Sequence, residues 1–141
     1  MEEELLLQIK KYISKKQGYN IIETKKDGQK VILFNLDLRE IKLNFFLTFD
    51  KYKDHIMFQL FTTFEQPYKT VGVDFYQVVS KLNLMSIMGS LIIRSHEDMY
   101  YISYKSNLIS TSNAIINGDA FDLFLNGSIS MLVLFNKELH S

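Results

Sequence analysis

Cysteine is absent from the 141 residues, which excludes a disulfide framework, a thiolate metal site and a cysteine nucleophile. That composition is ordinary for a reducing compartment. Net charge is missing as well, because 16 Lys and Arg balance 16 Asp and Glu, so no overall field draws the chain toward phosphate backbones. Residues 1–70 hold 12 basic and 10 acidic groups and residues 71–141 hold 4 and 6. Neither half is a basic arm, and nucleic acid is not expected as a partner. No apolar run is long enough for a membrane: the stretch from Leu82 to Ile93 is broken by Asn83, Ser86, Gly89 and Ser90 and falls short of the roughly 20 residues a spanning helix needs. The opening Met1, Glu2, Glu3, Glu4 lacks the positive region of a secretory signal. These absences lead to the expectation of a soluble, cytoplasmic protein without a membrane partner.

Motifs for chemistry are also scarce. Gly18, Gly28, Gly72, Gly89, Gly118 and Gly127 form no phosphate-binding spacing, and no serine stands in a nucleophile-elbow context. His55, His96 and His140 have no second ligand at helical or zinc-finger spacing. The run His96-Glu97-Asp98 is read as a polar connection between strands. Asp50 and Asp54 flank a loop, and Asp119 with Asp122 sits at a helix start, where acids complement the exposed N–H groups. No catalytic, metal or cofactor site is therefore expected.

What is present is apolar: 47% of residues are hydrophobic and 13% aromatic, with 11 Phe and 8 Tyr. That suffices for one core, so residues 1–141 are expected to form a single domain. Leu5, Leu6, Ile9, Tyr12 and Ile13 recur at the 3, 4, 7 spacing of one helical face and predict a helix over 2–17. Gly18 can take the left-handed conformation that stops it. Asp27-Gly28 predicts a hairpin between strands at 19–25 and 29–36. Residues 41–50 and 55–64 each alternate with period two, which predicts half-buried strands. The odd residues of the first and the even residues of the second should face inward. The register that aligns these faces puts Phe45 opposite Phe58 and Leu47 opposite Ile56, with 50–53 as the connection.

Pro67 ends this region, and Phe75, Val78, Val79 and Leu82 predict a helix from Val73 to about Met85. A second hairpin follows, with strands at 90–95 and 99–105. The stretch 106–117 is polar with isolated apolar residues and reads as a loop. Asn117 could then cap a last helix carrying Phe121, Phe124, Leu125, Leu132 and Phe135. The expected fold class is α+β, an antiparallel sheet with flanking helices in the order α-β-β-β-β-α-β-β-α.

This order resembles the type III secretion chaperone-like fold, and in particular the YbjN-like family of bacterial sensory transduction regulators. Phe75 to Asn83 (FYQVVSKLN) looks like that family's helix ending in Leu-Asn. It is followed by Gly89, an alternating strand, the acidic turn Glu97-Asp98, and Tyr104-Lys105 where the family often has Tyr-Arg. The detailed match covers about residues 67–135. The resemblance implies a homodimer that holds extended partner segments.

One feature of the sheet pattern points to function independently. Phe46, Met57 and Phe61 lie on the face away from the expected core, with Phe46 opposite Met57 in the register above. Aromatic and methionine side chains are enriched where proteins meet. The expected function is a non-catalytic protein-binding module with Phe46, Met57 and Phe61 as the contact residues, unless a helix covers them as ordinary core. An immunity or antitoxin protein is an alternative. So is a small-molecule sensor or enzyme using Tyr101, Tyr104 or His96.

Overall fold

Six antiparallel strands and three helices follow one another in the predicted order in a computed structural model that describes residues 2–26, 29–86, 88–111 and 119–141. The helices are α1 (Glu2–Ser14), α2 (Val73–Met85) and α3 (Asp119–Leu139). The strands are β1 (Tyr19–Lys26), β2 (Gln29–Asp37), β3 (Lys42–Tyr52), β4 (His55–Phe64), β5 (Gly89–His96) and β6 (Met99–Thr111). Their order across the sheet is β1-β2-β3-β4-β6-β5. The Asp27-Gly28 turn and the Asn117 cap lie outside the described residues; Lys26 and Gln29 are paired across β1 and β2.

Helix α1 stops at Ser14, three residues before the predicted end, and the chain turns through Gly18 at φ +89°. A side chain there would strain the backbone and crowd Leu36 Cδ1 at 3.1 Å. The corner at Glu97 and Asp98 has both residues at positive φ, 51° and 63°, the geometry of a two-residue hairpin whose twist matches its strands.

All three helices pack on one side of the sheet. Leu43, Phe45, Leu47 and Phe49 of β3 and Ile56, Phe58, Leu60 and Phe64 of β4 are buried in one cluster with Ile9 and Ile13 of α1, Leu82 of α2 and Phe121, Phe124, Leu125, Leu132 and Phe135 of α3. Rings join the layers. Phe34 and Phe45 stack at 4.6 Å and 2°, and Phe121 meets Tyr12 of α1 at 5.3 Å and Phe58 of β4 at 5.5 Å. Tyr19 leans on Phe34 and Phe45, and burial pushes its phenol up to about 12, so it packs there as a neutral group.

Two sequence readings need correction. Phe45 pairs with Thr62 and Leu47 with Leu60, while Phe58 stands opposite Phe49. The hairpin is therefore tighter than expected: Tyr52 pairs with His55 across a two-residue turn, with Lys53 at φ 54°. The register slips by four residues, an even number, so every side chain keeps its predicted face. The second correction is that residues 106–111 are not a loop but the continuation of β6 along β4. Their pattern looks irregular because the inward position Ser106 is a small polar residue, accommodated by a buried contact of 3.2 Å with the Ser128 hydroxyl of α3.

The free edges of the sheet are blunted. On β5 the outward backbone of Leu91 is engaged by Asn83 of α2, whose side-chain carbonyl accepts from Leu91 N–H at 2.7 Å and whose amide donates to the Leu91 carbonyl at 3.0 Å. On β1 two register shifts between Ile21 and Lys25 interrupt the ladder. Both devices disfavour addition of a further strand. Replacing Asn83 by alanine orphans both Leu91 groups and is expected to cost about 1–3 kcal/mol. Urea unfolding measures that loss, and amide exchange should show faster exchange at Leu91 than at its β4 counterparts.

Candidate functional site

The sheet face opposite the helices is built in cross-strand rows. One row runs Glu23, Leu33, Phe46, Phe61, Lys105, Ser90, and on one side of it runs Asn20, Asn35, Asn44, Thr63, Ser103, Ile92. On the other side come Val31, Thr48, Gln59 and Asn107, followed by Asp50, Met57 and Ile109. The polar rows satisfy one another across the strands. Asn20 donates to Asn35 at 3.3 Å, Gln59 to Asn107 at 3.4 Å, and the Thr63 and Ser103 hydroxyls lie 2.7 Å apart.

Phe46 and Phe61 stand directly opposite each other, edge to face, with centroids 6.3 Å apart. Both are half-buried and lie outside the core cluster. They are thus neighbours, closer than the predicted register placed them. Met57 is separated from Phe61 by Gln59 on the same face, roughly 13 Å along the strand. It pairs instead with Asp50 and with Ile109 of β6. Met57 is 50% and Ile109 65% exposed, so the three predicted contact residues divide into the aromatic pair Phe46 and Phe61 and a separate Met57 beside Ile109.

Sequence reasoning missed the cations at the aromatic pair. The Arg94 guanidinium carbon lies 5.4 Å from the Phe61 ring centre and the Lys105 ammonium 5.8 Å from it. Arg94 also donates through Nη2 to Ser103 Oγ at 3.1 Å and to Thr63 Oγ1 at 3.4 Å. Among the described residues no carboxylate lies within 4 Å of either cation. Leu33, Asn44, Phe46, Phe61, Arg94 and Tyr101 line a depression of about 410 Å³. The alternation of β5 and β6 was readable in the sequence, but the neighbourhood was not, because β6 inserts between β4 and β5.

The groups weighed for small-molecule or enzymatic chemistry do not converge. Tyr104 is buried on the helix-covered face with its hydroxyl 2.6 Å from Ser86 Oγ. Tyr101 is on the opposite face, paired with Arg94. His96 is exposed beside Glu97 at 3.7 Å. Asp122 holds Lys16 at 2.7 Å, a link between α3 and the end of α1. Among the described residues no group of three His, Asp or Glu side chains is placed to hold a metal ion, and no helix is long and apolar enough to cross a membrane. No family model matches the chain, and none of the curated proteins matches it.

Proposed function

We propose that this chain is a non-catalytic binding module that holds a partner polypeptide on the helix-free face of its sheet, centred on Phe46 and Phe61, with Met57 as an outlying contact. The observation that carries the reading is the asymmetry of the two faces. The three helices bury one side, while the other presents an aromatic pair that the described chain leaves half open. Covering apolar surface contributes roughly 25 cal/mol per Å², so two phenylalanines are sufficient anchors once association costs are met. The blunted edges favour contact through the face over strand addition. The resemblance to type III secretion chaperone-like and YbjN-like proteins extends the proposal to a cytoplasmic homodimer.

The test is retention of native partners, identified by mass spectrometry, on the immobilised wild-type chain and on the Phe46→Asp, Phe61→Asp double variant. The double variant is expected to unfold at nearly the wild-type temperature and to lose the partner by at least a hundredfold. Unfolding of the variant would show that the face is core, and undiminished retention would place binding elsewhere.

A further inference from the structure

The open face carries a charge imbalance at its centre. Residues 71–141 contain only 4 cations, and two of them, Arg94 and Lys105, converge on the single ring of Phe61. Two other lysines meet acids: Lys16 meets Asp122 at 2.7 Å and Lys81 meets Glu138 at 2.9 Å. Among the described residues no carboxylate lies within 4 Å of Arg94 or Lys105, the nearest acid in the Phe61 row being Glu23 of β1, three strands away. The same-face neighbours of Phe61 on β4 are Gln59 and Thr63, and those across on β3 are Asn44, Phe46 and Thr48, all uncharged. Two like charges held over one ring repel each other, and an anion placed beside them relieves the repulsion.

The arginine is held ready for such a contact. Nη2 is fixed by Ser103 and Thr63, and Ser103 is fully buried even though its strand position faces the open side. Guanidinium has five N–H donors in a rigid fork, so donors remain for a carboxylate. Little side-chain freedom is then lost on binding. Phosphate backbones are a poor match, since two cations in a neutral protein give weak counterion-release binding, and the aromatic pair calls for an apolar companion. In an extended chain, side chains at i and i+2 point to the same side, so an acid and an aromatic or aliphatic residue two apart could both reach this face.

We infer that the occupant of the face is an acidic segment of another protein, in which Asp or Glu side chains engage Arg94 and Lys105 while an adjacent apolar side chain packs against Phe46 and Phe61. This rests on the proposed binding reading and specifies its partner chemistry.

The experiment pans a random dodecapeptide display library on the full chain and measures selected peptides by fluorescence anisotropy. Enrichment of Asp or Glu within two positions of an apolar residue is expected. Arg94→Gln with Lys105→Gln should weaken binding at least tenfold, as should raising salt from about 50 to about 300 mM, since exposed charge pairs are screened. Lys105→Gln alone, at a residue whose contact here is with a ring, should reduce affinity without altering thermal unfolding. Selected peptides without acid enrichment, or acidic peptides that bind the glutamine variants equally well, overturn the inference. So does a panning that selects nothing, or free 3-phenylpropanoate binding as tightly as the peptides. Peptides that are sensitive to Phe46→Asp and Phe61→Asp but indifferent to the glutamine variants would sink the acidic partner alone and leave the binding face standing. Indifference to both pairs of variants would remove both.

Discussion

Truncation of Phe121 to alanine is expected to lower the unfolding free energy by about 3–5 kcal/mol, the range for removing a buried phenylalanine. The residue is 1% exposed and its ring meets three others: Tyr12 of α1, Phe58 of β4 and Phe124 within its own helix. The cavity left behind cannot close easily, because the sheet on one side and two helices on the other constrain it. In urea unfolding the midpoint should fall with little change in slope. Amide exchange in α1 should rise first, since the Tyr12 contact ties it to α3 and the Lys16–Asp122 pair adds a polar link just beyond its end. The matching substitution at Phe61, on the open face, removes a side chain that is already half in solvent and should cost about 1 kcal/mol or less. A loss at Phe61 as large as that at Phe121 would mean that the open face is a second core, and the proposed function would fall with it.

Gly89→Ala should be comparably damaging for a different reason. A Cβ on Gly89 would sit 2.1 Å from the Lys105 carbonyl oxygen, 2.9 Å from the Lys105 carbonyl carbon and 3.0 Å from Ser106 Cα. These are backbone atoms of β6, a strand clamped between β4 and β5, so they cannot swing aside as a side chain would. We expect a loss of about 3 kcal/mol or more, with β5 pushed away from β6. The measurement is thermal unfolding together with exchange of the β5 amides. An unchanged midpoint would show that the strands separate freely there. Gly127 is the natural control, because a Cβ at that position meets only Met88 Sδ, at an ordinary 3.7 Å. Gly89 also bears on the binding face. The carbonyl it presses against belongs to Lys105, whose side chain reaches Phe61, so a displaced β5 should weaken partner capture as well as stability.

Much of the architecture could be read from periodicity. The face assignments of β3 and β4, the bounds of α2, the apolar stripe of α3 and the turn at Glu97-Asp98 all follow from patterns within a dozen residues. The β3–β4 register could not be read this way. Alternation with period two aligns the inner faces equally well at any even slip, and Lys53, which takes the positive φ of the tight turn, is not a residue type that announces one. The far half of β6 was missed because Ser106 faces inward while Asn107 faces outward, which removes the contrast that marks a strand.

The candidate site divides along the same line. Which residues share a side of the sheet is a local property, set by the alternation of Cβ directions along each strand, and on that basis Phe46, Met57 and Phe61 were placed together on the open face. Which of them touch depends on pairing between segments far apart in the chain. Phe61 meets Lys105, 44 positions later in the chain, because β6 docks beside β4, and Arg94 arrives from the strand beyond. No local pattern encodes such a meeting, since it is chosen by how six strands and three helices bury the most apolar surface at once.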